Sequence, residues 1–157
     1  MIFVFLYYLP SLEPTEANAS WAVLSAVRYT SALDGKTVNS KTEATPQVVG
    51  VMVDNHPDAR PESGLSKAKV VYEAPVEGSF TRYMAIYDSK QNVSSVGPVR
   101  SARPYFLDWL AEYGNGLYMH SGGSPEALSL IEKLNVFDAN EFFWDSFYWR
   151  VKDKKAP

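Results

Sequence analysis

The sequence predicts an α/β or α+β fold: a mixed sheet of about four or more strands, with helices after the turns Arg100-Ser101-Ala102-Arg103-Pro104 and Gly122-Gly123-Ser124-Pro125. Three observations carry this expectation. Val48-Val49-Gly50-Val51-Met52-Val53 is an unbroken apolar, β-branched run, the pattern of a strand buried on both faces. Two helical segments open on proline, whose missing N–H costs nothing at the first helical position. Strand and helix signals alternate along the chain, which favours packed layers of both kinds.

Composition sets the outer bounds. A chain of 157 residues can bury one real core, but not comfortably two. With 46% apolar and 21% charged residues, the whole is not disordered, collagen-like or a helical membrane bundle. A net charge of −3 argues against nucleic acid as a partner, leaving only a local basic cluster open. The chain has no cysteine, so disulfide scaffolds, zinc knuckles, iron–sulfur sites, thiol nucleophiles and a lipidated N-terminal cysteine drop out together.

Three stretches divide the chain: an apolar N-terminal segment over 1–29, a linker with a small hairpin over 30–47, and a domain over 48–157. Met1 to Leu9 are all apolar, yet nine residues fall short of the roughly 20 that span a bilayer. With Ala17-Asn18-Ala19 as an A-x-A-like cleavage site, the segment reads as an export signal or the remains of a membrane anchor. Against this, no Lys or Arg precedes the apolar run, and Glu13 and Glu16 lie before the cut. A helix from Pro14 to Tyr29, or a misassigned start, are the alternatives. Asp34-Gly35, between Ala32-Leu33 and Lys36-Thr37-Val38, signals a two-residue hairpin turn.

Within the domain, the first strand stops at Asp54-Asn55-His56-Pro57, and Val70-Val71-Tyr72 makes a second. Thr81 to Tyr87 alternates as a third; the short loop before it implies an antiparallel edge. Pro104 to Tyr113 is a helix closed by Gly114, and Leu117 to His120 a fourth strand. Ser124 caps a helix from Pro125 to about Leu134, with Leu128, Ile131 and Leu134 on its buried face. Six of the eight residues from Phe142 to Trp149 are aromatic, and a basic stretch ends at Ala156-Pro157. So dense a cluster is core or interface, with a sugar- or base-stacking platform as the alternative, and it predicts a missing C-terminal part that covers it. The isolated chain is then expected to aggregate or to bind a hydrophobic dye.

The segment richest in chemistry is Gly97-Pro98-Val99-Arg100-Ser101-Ala102-Arg103-Pro104. Two arginines and a serine stand at a helix start, where free N–H groups and the helix dipole favour an anion. Phosphate or carboxylate suits such a place; equally, Arg100 and Arg103 can pair internally with Glu73, Glu77 or Asp108. His120-Ser121-Gly122-Gly123-Ser124-Pro125 repeats the strand, glycine turn and helix order. It is neither a phosphate-binding GKS/GKT loop nor a nucleophile elbow, so it is an anion-binding turn or a plain capped one. Ligand-binding candidates are therefore Arg60, Arg82, Arg100, Ser101, Arg103, Gly122, Gly123 and Ser124. Asp54, Glu73, Glu77 and His120 are candidates for acid/base work. Their spacing fits no metal signature, and nothing implies a cofactor.

VMVDNHPDARPESGLSKAKVVYEAPVEGSFTRYMAIY, VGPVRSARPYFLDWLAEY and LYMHSGGSPEAL, in that order, closely resemble the YerB-like family of bacterial lipoproteins, domain of unknown function 3048, in its N-terminal portion. The likeness runs from Val48 to Pro157, some two-thirds of the chain. It implies an exported protein held at the membrane, secreted or anchored, with a second C-terminal portion. Because there is no lipobox cysteine, an apolar N-terminal anchor fits better. The family's motifs fall on all the candidates above and bring no catalytic role with them.

Three functions compete. The first is an extracytoplasmic, envelope-associated domain that binds an anionic small molecule or envelope polymer. The second is a hydrolase or transferase on an anionic envelope substrate, with a carboxylate as acid or base and His120 as proton shuttle. The third is a structural or assembly module whose arginines only hold the fold.

Overall fold

The structure, a computed structural model, describes residues 28–114, 116–134 and 136–151. The N-terminal apolar run and the A-x-A site lie outside these residues, as does nearly all of the alternative helix from Pro14. That helix does not reach Tyr29, because Tyr29–Thr30 is a strand, β1.

β1 pairs antiparallel with β2, Thr37–Val38, through Tyr29↔Val38 and Thr30↔Thr37. The hairpin connection is therefore six residues long, not a two-residue Asp34-Gly35 turn. The loop dips because Leu33 buries its side chain in the main core, which a tight turn would leave in water. A one-turn helix α1, Lys41–Ala44, follows; Ser40 Oγ accepts from the Glu43 amide and Glu43 Oε2 from the Asn39 amide, close to a capping box.

Five strands form the main sheet: β3 (Val48–Asp54), β4 (Val70–Pro75), β5 (Thr81–Asp88), β6 (Leu117–His120) and β7 (Phe137–Asn140). Their order is β4-β5-β3-β6-β7, antiparallel on the β4-β5-β3 side and parallel from β3 through β6 to β7. The sheet is mixed and the fold is α+β. Helices α2 (Pro104–Ala111) and α3 (Pro125–Leu134) cover one face. There Met52, Met84, Ile86, Phe106, Leu110 and Tyr118 make the larger core. On the other face Val51, Val53, Ala85 and Tyr87 pack under loop residues such as Leu65, Val96 and Val99. Both faces of β3 are thus dry, which is why its sequence shows no alternation.

Two expectations need correction. The buried face of α3 is Ala127 and Ile131, while Leu128 and Leu134 lie exposed. The helix is turned so that small Ala127 joins the main core, fully buried. The strand β7 was not foreseen: Phe-Asp-Ala-Asn has neither the β-branched content nor a long apolar run, and it pairs only because β6 offers a free edge.

Among the described residues no helix is long and apolar enough to cross a membrane.

Candidate functional site

The two glycine- and arginine-bearing turns meet at the carboxyl ends of the parallel strands. β3 and β6 are neighbours, and beyond their last paired residues the chain from Pro98 to Ala102 enters between them. On the β3 side Asp54 N donates to Pro98 O at 2.9 Å and Arg100 N donates to Met52 O at 3.0 Å. On the β6 side Ser121 N donates to Arg100 O at 3.1 Å and Ala102 N to Gly122 O at 2.9 Å. The crevice where open sheets of this kind receive ligands is occupied by the protein's own arginine segment. What remains accessible is the rim that this segment lines.

Three guanidinium groups gather there with two carboxylates. Arg103 grips Glu77 in a fork, Nε to Oε1 at 2.8 Å and Nη2 to Oε2 at 2.7 Å. Arg100 donates from Nε to Asp54 Oδ2 at 3.0 Å; the Asp54 carboxylate is nearly buried, whereas 41% of the Arg100 side chain is exposed. Arg82 lies opposite Asp54 in the β3–β5 register and is only 7% exposed. It gives one bond, Nη1 to Ser101 O at 2.7 Å, and its buried Nε has no partner among the described residues. Burial, reinforced by repulsion from Arg103, lowers the Arg82 pKa from its ordinary value, and the field of Asp54 opposes this. The Tyr118 hydroxyl, fully buried on the same face, also lacks a partner, and burial pushes its pKa up. The arginine rim is thus one positive charge in excess of its carboxylates, and it keeps an unsatisfied buried donor.

The Glu77 carboxyl is held at about 2 rather than 4.5, first by its hydrogen bond from Arg103. Because the folded value is depressed, this pair adds stability that is complete above pH 4.5 and vanishes as pH falls toward 2. Glu77 is largely exposed, so solvent screening keeps the effect small. Glu77→Gln is expected to flatten the acid limb of melting temperature against pH over that window. Superimposable limbs for wild type and variant would show that the fork contributes nothing.

The remaining candidates are placed as follows. Arg60 donates from Nε and Nη2 to Asn55 Oδ1 at 3.2 and 2.8 Å. Asn55 Nδ2 reaches Thr81 Oγ1 at 2.6 Å, and Thr81 donates to Glu73 Oε1 at 2.6 Å. Glu73 pairs in register with Tyr83, and Asp54 with Arg82, so their side chains point to opposite faces of the sheet. His120 is completely buried, Nδ1 facing Gly122 O and Nε2 facing Asp138 Oδ1, both at 2.7 Å. Of the four acid/base candidates, Asp54 and Glu77 share the arginine rim, whereas Glu73 lies on the opposite face and His120 is held by Gly122 O and Asp138. Among the described residues no group of His, Asp or Glu gathers as a metal would require.

The glycine turn is consumed by packing. Gly122 N donates to Asn140 Oδ1 at 3.1 Å, its φ is +63°, and a Cβ there would meet the Phe142 ring at 2.9 Å. Ser124 Oγ caps α3 by accepting from Ala127 N at 3.2 Å. Sequence reasoning missed Asp138 and Asn140, which hold this turn from β7, and it missed Asp54 as the partner of Arg100. An unrecognised strand hides the first two, and 46 residues of separation hide the third.

Residues 33–157 match the family described as "Protein of unknown function (DUF3048) N-terminal domain". The chain is 45% identical over 123 residues to "Putative lipoprotein YerB" of Bacillus subtilis (strain 168), covering 78% of this chain and 36% of that protein. The crystal structure of YerB protein from Bacillus subtilis superimposes with a TM-score of 0.69 at 40% identity, over 82% of this chain and 43% of that one. The chain spans less than half the length of these relatives.

Proposed function

This chain belongs to the DUF3048 N-terminal domain family, and on that premise we propose that it is an extracytoplasmic, envelope-associated domain that binds an anionic ligand, phosphate- or carboxylate-bearing, at the arginine rim. The lipoprotein name of YerB supports the location. One observation carries the binding reading: three arginines share two carboxylates, and the surplus charge, Arg82, is buried with an unpartnered Nε. Burying an unneutralised guanidinium is costly, and an oxyanion at the rim relieves that cost. Arg100 supplies the contact. Its Nε holds Asp54, and its terminal nitrogens, on a side chain two-fifths exposed, are free to grip two oxygens of a phosphate or carboxylate. A polymer of such groups and a single small anion offer the same chemistry.

Calorimetric titration with inorganic phosphate and with citrate tests this, on wild type and Arg100→Lys. Lysine keeps the charge that neutralises Asp54 but loses the planar fork. Affinity is expected to fall about 10- to 150-fold, the equivalent of roughly 1.5–3 kcal/mol, with the melting temperature nearly unchanged. Equal affinity in the two proteins, or no binding of either anion by wild type, would assign the arginines to scaffold alone.

A further inference from the structure

The segment after β7 turns a row of large apolar side chains to solvent. Phe142, Phe143 and Trp149 are 71%, 78% and 63% exposed, and Phe137, Trp144 and Phe147 lie exposed beside them. Phe137, Trp144 and Phe147 form one continuous surface. Phe137 and Trp144 rings stand 5.9 Å apart, as do Trp144 and Phe147. The Tyr148 hydroxyl donates to Ala139 O, which ties the segment to the edge strand, and the Phe142 ring rests on Gly122. An edge strand flanked by so many bare aromatics is what monomeric proteins avoid.

We propose that this face seats the further polypeptide that YerB-like proteins carry beyond this domain. Three facts favour that occupant. The family is described as an N-terminal domain, and the matched part of YerB is 36% of its length. Five of the six exposed rings sit on the last stretch described, 142–151, so any polypeptide continuing from it emerges beside the patch. A tethered segment then meets the surface at an effective concentration of about millimolar, which a second copy at micromolar concentration cannot match. The face also adjoins the arginine rim: Phe142 packs on Gly122, whose carbonyl receives the Ala102 amide. Docking would therefore brace the turn that closes the rim.

The test compares Phe143→Ser/Phe147→Ser in two settings: this 157-residue chain, and full-length Bacillus subtilis YerB with its matched region replaced by this chain. In the isolated chain the double substitution should leave the melting temperature unchanged and abolish binding of a hydrophobic dye. In the full-length hybrid the wild-type face should bind no dye, and the same substitutions should lower the melting temperature by several degrees. If the hybrid does not fold, intact YerB with serines at its aligned positions is compared with its own matched region. Substitutions that are neutral in the full-length protein as well would overturn the proposal. So would dimerisation of the isolated chain that the substitutions abolish, or its dependence on the same residues for binding anionic lipid vesicles. The first of those points to a second copy and the other to a membrane.

Discussion

Replacing His120 by alanine is expected to cost about 3–5 kcal/mol of folding stability, the sum of a core cavity and two lost hydrogen bonds. The imidazole is fully buried between a carbonyl and a carboxylate, each at 2.7 Å. Each ring nitrogen thus has a protein oxygen within hydrogen-bond distance, and the ring serves the fold by bridging the glycine turn to β7. Alanine removes the bridge between Gly122 O and the Asp138 carboxylate. It also removes the ring that packs, tilted, against Tyr118 with centroids 5.0 Å apart. In a domain of this size the loss corresponds to roughly 10 °C in melting temperature. Asp138→Asn keeps an acceptor and should cost less than half as much. Chemical denaturation of both variants measures this, and a loss under about 1 kcal/mol for His120→Ala would show that the pair is not coupled to the core. Phosphate affinity should survive Asp138→Asn, because the proposed rim does not use this pair.

Gly64→Ala should be comparably damaging, for a backbone reason. Gly64 has φ +82°, and a Cβ there would collide with the Ser95 carbonyl oxygen. The left-handed conformation costs about 1–2 kcal/mol once a Cβ is present. Forcing that atom against another backbone segment adds about 1–3 kcal/mol, for roughly 2–5 kcal/mol together. The strain has a functional address. Ser63 and Gly97 exchange hydrogen bonds of 2.8 and 3.1 Å, and Gly97 leads through Pro98 into the arginine segment between β3 and β6. Displacing Ser95 therefore shifts Arg100, and anion affinity should fall with stability. A variant that denatures at the wild-type midpoint would mean that the two loops yield without cost.

Much of the domain is legible in the chain because its signals are local. The run 48–53 is apolar at every non-glycine position, and a strand with two dry faces follows. Pro104 and Pro125 start their helices where a missing N–H is harmless, and Ser124 caps the second of them. Less visible was which side of α3 faces inward: Leu128, Ile131 and Leu134 satisfy helical spacing as well as Ala127 and Ile131 do. Periodicity names a stripe; only the neighbour that packs on it decides whether large or small side chains go inside.

The candidate site divides in the same way. Arg82, Arg100 and Arg103 stand out in the sequence by charge and by their place at strand and helix starts, and the structure collects all three at one rim. Of the partners the sequence offers, Glu73, Glu77 and Asp108, one is used: Arg103 takes Glu77, 26 residues away, whereas Arg100 takes Asp54, 46 residues away, which the sequence does not single out as its partner. Both pairings follow from β3, β5 and the 98–102 segment converging at one end of the sheet. His120 and the glycine turn look like a ligand site in one dimension, yet β7 fills their hydrogen bonds with Asp138 and Asn140. The sequence by itself determined strand and helix identity and the chemistry available, since dihedral preference and hydrophobic period act over a few residues. Only the tertiary structure decided which charges are neutralised and which remain, because a guanidinium is spent or free according to what the chain brings within about 3 Å of it.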